Sequence, residues 1–272
     1  MTEPDRIRKS MLFQWRLCPR LYESVWLLKL PVQPGVEQQY GQMFHKSAKV
    51  FFDKLDYEAL EKCQTAKEAY QLFSRMVSPK EIVPVLGPWL DNFFQFEARR
   101  WEIIVNKAHD PLYWWTPVAT EQFLIVQDRE YHIDRIDRLS NGNLLNIEYK
   151  TDKWMGKSLL RLELTWYNIG VNDCGKFERP CTHIGSFNPQ LNQWFYEPVL
   201  RRHIQAVNRL VAQFRLARKL NEFPPRPSHF CRYCPVLSRC LADGIFNEKE
   251  DENMREIEAR HYDNGEVKEW IL

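Results

Sequence analysis

Residues 132–153 read HIDRIDRLSNGNLLNIEYKTDK. Asn141-Gly142 near the middle is the strongest short hairpin signal a sequence carries. Apolar residues flank it, Ile133 and Ile136 before the turn and Leu144, Leu145 and Ile147 after it, so the two strands read as a central pair of a sheet. Side chains alternate along a strand, which puts Glu148 and Lys150 on one face and Tyr149 on the other. Folding at the turn brings Asp134 toward Glu148. Two carboxylates with a lysine beside them suit a hard divalent cation, Mg²⁺ or Mn²⁺, which takes oxygen ligands from one or two carboxylates and a phosphate. A surface hairpin would carry the same residues as cross-strand ion pairs. Charges on a central hairpin instead need a partner such as a metal. Asp137 competes as the first carboxylate, but its strand parity is opposite to that of Asp134, so it ranks second.

Around the hairpin the texture is mixed. Residues 117–127 are β-prone, and short strands are expected near 181–187 and 192–197. Helical spacing links Tyr40, Phe44, Ala48 and Phe51, and two further periodic stretches cover 57–77 and 86–105. It returns over 157–171, with Leu160, Leu164, Tyr167 and Val171 on one face, and over 198–220, with Ile204, Val207, Val211 and Phe214 inward. Strands are expected only in the middle of the chain. The fold class is α/β, a central mixed sheet flanked by helices. A helical N-terminal part spans 1–115, the core 116–243 and a tail 244–272.

The chain has 272 residues, 44% of them hydrophobic and 27% charged, which excludes disordered and collagen-like classes. Its net charge is +2, yet residues 241–272 hold ten acids against four Lys and Arg. Any anion-binding surface therefore lies in the preceding body, and the tail is acidic. No apolar run approaches the roughly 18 residues of a membrane span. Met1 to Lys9 lacks a secretory apolar core, so the chain reads as cytoplasmic, with no membrane partner. Gly156-Lys157-Ser158 resembles the end of a P-loop, but Thr151 stands where the first glycine is required. The chain thus carries no ATPase motif, and any motor belongs to another chain.

Seven cysteines in a cytoplasmic chain favour metal or redox chemistry over disulfides. Cys231, Cys234 and Cys240 form a C-x₂-C-x₅-C run, a pattern that holds zinc or iron–sulfur. Cys18, in Leu17-Cys18-Pro19-Arg20, is the candidate fourth ligand. Cys63, Cys174 and Cys181 lack such spacing and read as packing residues.

The hairpin string resembles the core motif of the PD-(D/E)XK nucleases, in particular their RecB-like branch. The resemblance implies a restriction-endonuclease-like fold with Asp134, Glu148 and Lys150 as the catalytic core and the Tyr149 carbonyl near the metal. Two more segments are similar to family motifs. Gly41-Gln-Met-Phe-His45 matches a G-x-x-x-H on an N-terminal helix and implies that His45 is a metal ligand. Glu163-Leu-Thr-Trp-Tyr167 sits like the family's Q-h-x-x-Y, with glutamate in place of glutamine, and implies a DNA-contact role for Tyr167. Glu121 stands where the family often has an acid. Tyr131 departs from the usual glycine. Cys-Pro-Arg near the start with the late cysteine run resembles the iron–sulfur staple of AddB-type and CRISPR-associated RecB-like nucleases. That likeness implies a 4Fe–4S cluster on Cys18, Cys231, Cys234 and Cys240.

The expected activity is a metal-dependent DNA exonuclease acting on single strands or duplex ends. Lys153, Lys157 and Arg161 would bind the backbone, and Trp154, with Trp166 less favoured, would stack on bases. A helicase or a CRISPR integrase subunit is the expected protein partner. Two rivals stand beside this reading. One is a non-catalytic nucleic-acid-binding or assembly subunit that keeps the fold. The other is a zinc-stapled binding protein whose hairpin charges are incidental.

Overall fold

The computed structural model describes residues 6–32, 36–76, 84–151 and 156–245. Lys153, Trp154 and the tail from 246 onward lie outside the described residues. The chain opens with β1 (Ile7–Arg8), α1 (Lys9–Leu17) and α2 (Pro19–Tyr22), then one π-helical turn, Glu23–Leu27. Helices α3 (Val36–Lys54), α4 (Tyr57–Glu61), α5 (Ala66–Met76), α6 (Gly87–Val105) and α7 (Pro111–Trp115) follow. Next come β2 (Ala119–Val126), β3 (Arg129–Arg138), β4 (Leu144–Tyr149), α8 (Lys157–Asp173), β5 (Cys181–Asn188) and β6 (Gln193–Pro198). The described chain ends with α9 (Arg201–Leu220), a 3₁₀ turn over His229–Tyr233 and α10 (Leu237–Ala242).

The sheet is mixed, as expected, in the order β1-β3-β4-β5-β6 with β2 also on β3. Strands β3 and β4 pair antiparallel from Arg138–Leu144 to Arg135–Ile147. At their turn Gly142 takes φ 83°, a region open to glycine at no steric cost, and the Asn143 N–H donates to Asn141 Oδ1 at 3.0 Å. Helix α8 makes the crossover to β5, which runs parallel to β4. The expectation that strands occur only mid-chain fails at β1. This strand is two residues long, too short to leave a periodic signal, yet Ile7 is fully buried and pairs with Arg129.

Helices cover both sides. Aromatic residues of α3, α5, α6 and α7, among them Phe44, Phe73, Phe93 and Trp115, pack on Leu145, Ile147 and Tyr149 of β4. Residues of α1, α8 and α9, among them Trp15, Trp166, Val211 and Phe214, pack on Tyr131, Ile133 and Ile136 of β3. Trp166 is therefore core and cannot stack on bases. Its ring lies 4.9 Å from that of Tyr131. Gly170 makes room for this contact, because a Cβ there would sit 2.6 Å from the tyrosine ring. The bulk at Tyr131 is thus accommodated by a glycine on the facing helix. Among the described residues no helix is long and apolar enough to cross a membrane.

Candidate active site

The β3–β4 ladder stops at Arg135–Ile147, and one residue further a side chain takes over from the backbone. Asp134 Oδ2 accepts the Tyr149 N–H at 2.7 Å. Asp134 Oδ1 faces His45 Nδ1 at 3.1 Å. His45 arrives from α3, which comes close to the end of β4. A Cβ on Gly41 would lie 2.8 Å from Thr151 Oγ1, and Phe44 packs edge-on against Tyr149 at 5.6 Å. Glu121 completes the group. The β2–β3 pairs Thr120–Arg135 and Gln122–Ile133 put it opposite Asp134, and its φ of 45° is left-handed for a residue with a side chain. Such strain persists where the surroundings over-determine it, and it clusters at functional sites. His45, Glu121 and Asp134 each offer one ligand atom, all within 4.8 Å of one another.

Glu148 stands beside them, divided between its two oxygens. Oε1 receives Lys9 Nζ at 3.1 Å, Lys150 Nζ at 3.2 Å and the Tyr167 hydroxyl at 3.5 Å. Oε2 is buried and has no hydrogen-bond partner among the described residues. A buried carboxylate oxygen without a partner is costly, and a hard cation is what would satisfy it. The donor set of two or three carboxylates and one imidazole fits Mg²⁺ or Mn²⁺. All these residues line a cleft of ≈ 750 Å³, whose wall along α3 carries Gln38, Gln42, Lys46 and Lys49.

The charges sort the carboxylates. Burial pushes Glu148 up, but Lys9 and Lys150 outweigh it and hold it at about 2. Burial, with Glu148 adding, raises Asp134 above its ordinary value. Burial lowers His45, yet the Asp134 charge and hydrogen bond lift it to about 9. Glu121 is pushed up to about 7 by burial and by Asp134. Without metal, then, a protonated His45 pairs with Asp134. Because the folded His45 value lies above its ordinary 6.5, this pairing stabilises the metal-free protein below about 6.5 and is lost as pH rises through about 9. A bound cation must displace that proton and the one on Glu121. Mn²⁺ affinity should therefore climb between pH 6 and pH 9, with proton release measurable by calorimetry in buffers of different ionisation heat. A flat affinity without proton release would remove His45 from the ligand set.

The other expected site residues fall into two groups. Tyr149 points away from Glu148, its hydroxyl 3.2 Å from Arg135 Nη1. Asp137 also lies in that layer, bound by Arg135 and Arg100 and remote from the cleft chemistry. Tyr167 is buried, lines the cleft and turns its hydroxyl toward Glu148. Arg161 is ion-paired with Glu197, and Lys157 is exposed at the start of α8. Among the described residues neither lines the cleft. The cations that do are Lys9, Lys46, Lys49 and Lys150. Lys9 is absent from the sequence reading. Its segment reads only as charged, and its partner Glu148 is 139 residues away. Glu163, read as part of a DNA-contact motif, instead pairs with Lys150 at 2.5 Å and Lys9 at 3.5 Å.

The cysteine run sits where the segment around α1 and α2 meets the segment around α10. Cys18 lies between α1 and α2, and its Sγ accepts the Arg226 N–H at 3.4 Å. Cys231 Sγ accepts the Ser228 N–H at 3.3 Å. Burial pushes the Cys234 thiol up to about 12, with Cys240, Cys18 and Cys231 adding. Arg239 ties α10 to Ser24 at 2.7 Å and to Glu23 at 2.9 Å. Cys63 lies apart, its thiol donating to the Ala59 carbonyl at 3.4 Å.

A family model described as the PD-(D/E)XK nuclease superfamily matches residues 10–241. The chain belongs to this superfamily. The expected restriction-endonuclease-like core is the mixed sheet and its flanking helices. Membership in the PD-(D/E)XK superfamily points to a metal-dependent nuclease with DNA as its substrate, and the cluster of His45, Glu121 and Asp134 supplies a possible site for the metal. No curated protein matches the chain.

Proposed function

We propose that this PD-(D/E)XK protein is a RecB-like DNA exonuclease that uses Mg²⁺ or Mn²⁺ at single strands or duplex ends and carries a structural 4Fe–4S cluster. The observation that carries the nuclease site is the divided Glu148, one oxygen clamped by two lysines and the other buried and open. Asp134, Glu148 and His45 would hold the cation, and Glu121 and the Tyr149 carbonyl would be further oxygen donors to it. When bound, the cation supplies Lewis acidity toward a phosphoryl oxygen and a more acidic water. The chain's own groups do the rest. Lys150 stands at 3.2 Å from Glu148, where its ammonium offsets charge developing on a phosphate in the cleft. Lys46 and Lys49 offer the incoming backbone two more positive charges. Lys153 and Trp154, which follow Lys150 in the sequence, are proposed as a further backbone-binding cation and a base-stacking ring. A cytoplasmic location and a helicase or CRISPR integrase subunit as protein partner belong to this proposal.

The test is cleavage by anaerobically purified protein of end-labelled linear strands, blunt duplexes and closed single-stranded circles, with Mg²⁺ or Mn²⁺. Linear ends should be degraded and circles left intact. Equal cutting of circles would replace exonuclease by endonuclease. DNA binding without any cleavage would favour the non-catalytic subunit.

The cysteines support an iron–sulfur staple. All four donors are sulfur, two accept backbone N–H groups, and the Cys234 and Cys240 thiols, raised first by burial, lie near enough to Cys18 and Cys231 to be raised further by them. Ligation there would fasten α10 to α1 and contribute to folding. Cys18→Ser and Cys234→Ser should bleach the brown thiolate-to-iron absorbance and lower the melting temperature, while Cys63→Ser should do neither. Stoichiometric zinc and no iron in protein purified without oxygen would turn the staple into a zinc site.

A further inference from the structure

Lys9 occupies a place that its sequence neighbourhood does not announce. Its backbone is fixed on both sides. Ile7 is fully buried in the short parallel pairing with β3, Arg8 Nε pairs with Glu130 at 2.9 Å, and Met11 and Leu12 are buried in α1. The side chain therefore enters the cleft from an anchored strut. Its ammonium meets Glu148 Oε1 at 3.1 Å and Glu163 Oε2 at 3.5 Å, and lies 5.1 Å over the Tyr167 ring. Lys150 meets the same two oxygens at 3.2 and 2.5 Å. Two lysines and two glutamates thus close a ring of alternating charge.

Burial makes the ring consequential. The side chains of Glu148, Glu163 and Lys150 are 6%, 7% and 13% exposed, so their charges are weakly screened. Two ammonium groups on one carboxylate oxygen repel each other, and Glu163 is the anion that lets both stay. The ring sums to zero and leaves the other Glu148 oxygen open.

We infer that Lys9 is a positioning residue of the nuclease site: with Lys150 and Glu163 it holds Glu148 by one oxygen and sets how tightly the site holds its cation. This rests on the metal site proposed above. Removing Lys9 leaves a net negative ring, with Glu148 Oε1 held by Lys150 and the Tyr167 hydroxyl alone, so the cation is bound more tightly. Removing the Glu163 charge leaves a net positive ring, so the cation is bound more weakly. A merely structural ring would move both variants in the same direction.

The experiment is calorimetric titration of the full chain with Mn²⁺ at one pH, alongside single-turnover cleavage. Lys9→Met should bind Mn²⁺ at least about fivefold more tightly and cleave at least about tenfold more slowly. Glu163→Gln should bind Mn²⁺ at least about fivefold more weakly. The double variant should return to within about threefold of wild-type affinity, because the two opposite charge changes cancel and leave the ring neutral again. Lys9→Arg, which keeps the charge, should restore affinity and most of the rate. Weakened Mn²⁺ binding in both single variants, or unchanged affinity in Lys9→Met, overturns the inference. If Lys9→Met loses its melting transition, Glu163→Gln and Lys9→Arg decide by the same criteria. Opposite affinity shifts in a protein that never cleaves DNA would uphold the ring and remove the nuclease reading. Normal cleavage with Lys9→Met unchanged would remove the ring alone.

Discussion

Glu148→Ala is expected to cut DNA more slowly by on the order of a thousandfold with either Mg²⁺ or Mn²⁺, since it removes both a cation ligand and the anchor of two lysines. DNA affinity should stay level or rise. The variant deletes a negative charge from a cleft that must receive phosphate, and Lys9 and Lys150 remain in place. Asp134→Ala should match it in rate. Lys150→Ala should differ in kind. It should keep Mn²⁺ binding and lose on the order of two to four kcal/mol of transition-state stabilisation, as for one preorganised donor. The informative measurement follows binding and cleavage in parallel, with salt varied, because backbone contacts weaken steeply with ionic strength. Wild-type cleavage by Glu148→Ala ends the assignment at this hairpin. Loss of cleavage together with loss of binding and a lowered melting temperature would mark Glu148 as a structural ion pair.

What the sequence could disclose here was local. Asp134, Glu148 and Lys150 were legible because a glycine turn and a two-residue period fix which side chains share a face. His45 was legible only through the resemblance of Gly41-Gln-Met-Phe-His45 to a family motif, since a lone histidine on an apolar helix is by itself more often structural. The long helices α3, α6, α8 and α9 were legible from their apolar periods. Other features depend on partners far along the chain. Lys9 acquires meaning only when β1 docks beside β3. Glu121 joins the site through one left-handed φ that no propensity encodes. Lys46 and Lys49 occupy the polar side of α3, and periodicity cannot tell a helix face lining a cleft from one facing bulk water. Trp166 and Tyr167 read as candidate DNA contacts beside basic residues. Trp166 is buried against Tyr131, where Gly170 lets α8 come close, and Tyr167 is buried with its hydroxyl toward Glu148.

Arg135→Met should be strongly destabilising on the side of the sheet away from the cleft. Arg135 is fully buried. Its Nε and Nη2 each donate to Asp137 at 2.8 Å, and its Nη1 and Nη2 reach Glu97 at 2.5 and 3.3 Å. Arg100 supports the same two acids, at 2.8 Å to Glu97 and 3.0 Å to Asp137. Removing Arg135 leaves two buried carboxylates sharing one cation, a loss of about 3–5 kcal/mol. In a chain of this size that lowers the melting temperature by roughly 6–20 °C. A shift below about 2 °C would mean that the network adds nothing beyond an apolar core. The same geometry separates the two aspartates of the motif. Asp137→Ala should lose stability and keep Mn²⁺ binding, because its carboxylate serves Arg135 and Arg100. Asp134→Ala should keep most of its stability and lose Mn²⁺ binding, because its oxygens serve His45 and the Tyr149 N–H. The reverse pattern would make Asp137 the metal ligand and leave Asp134 a structural cap on the end of the hairpin.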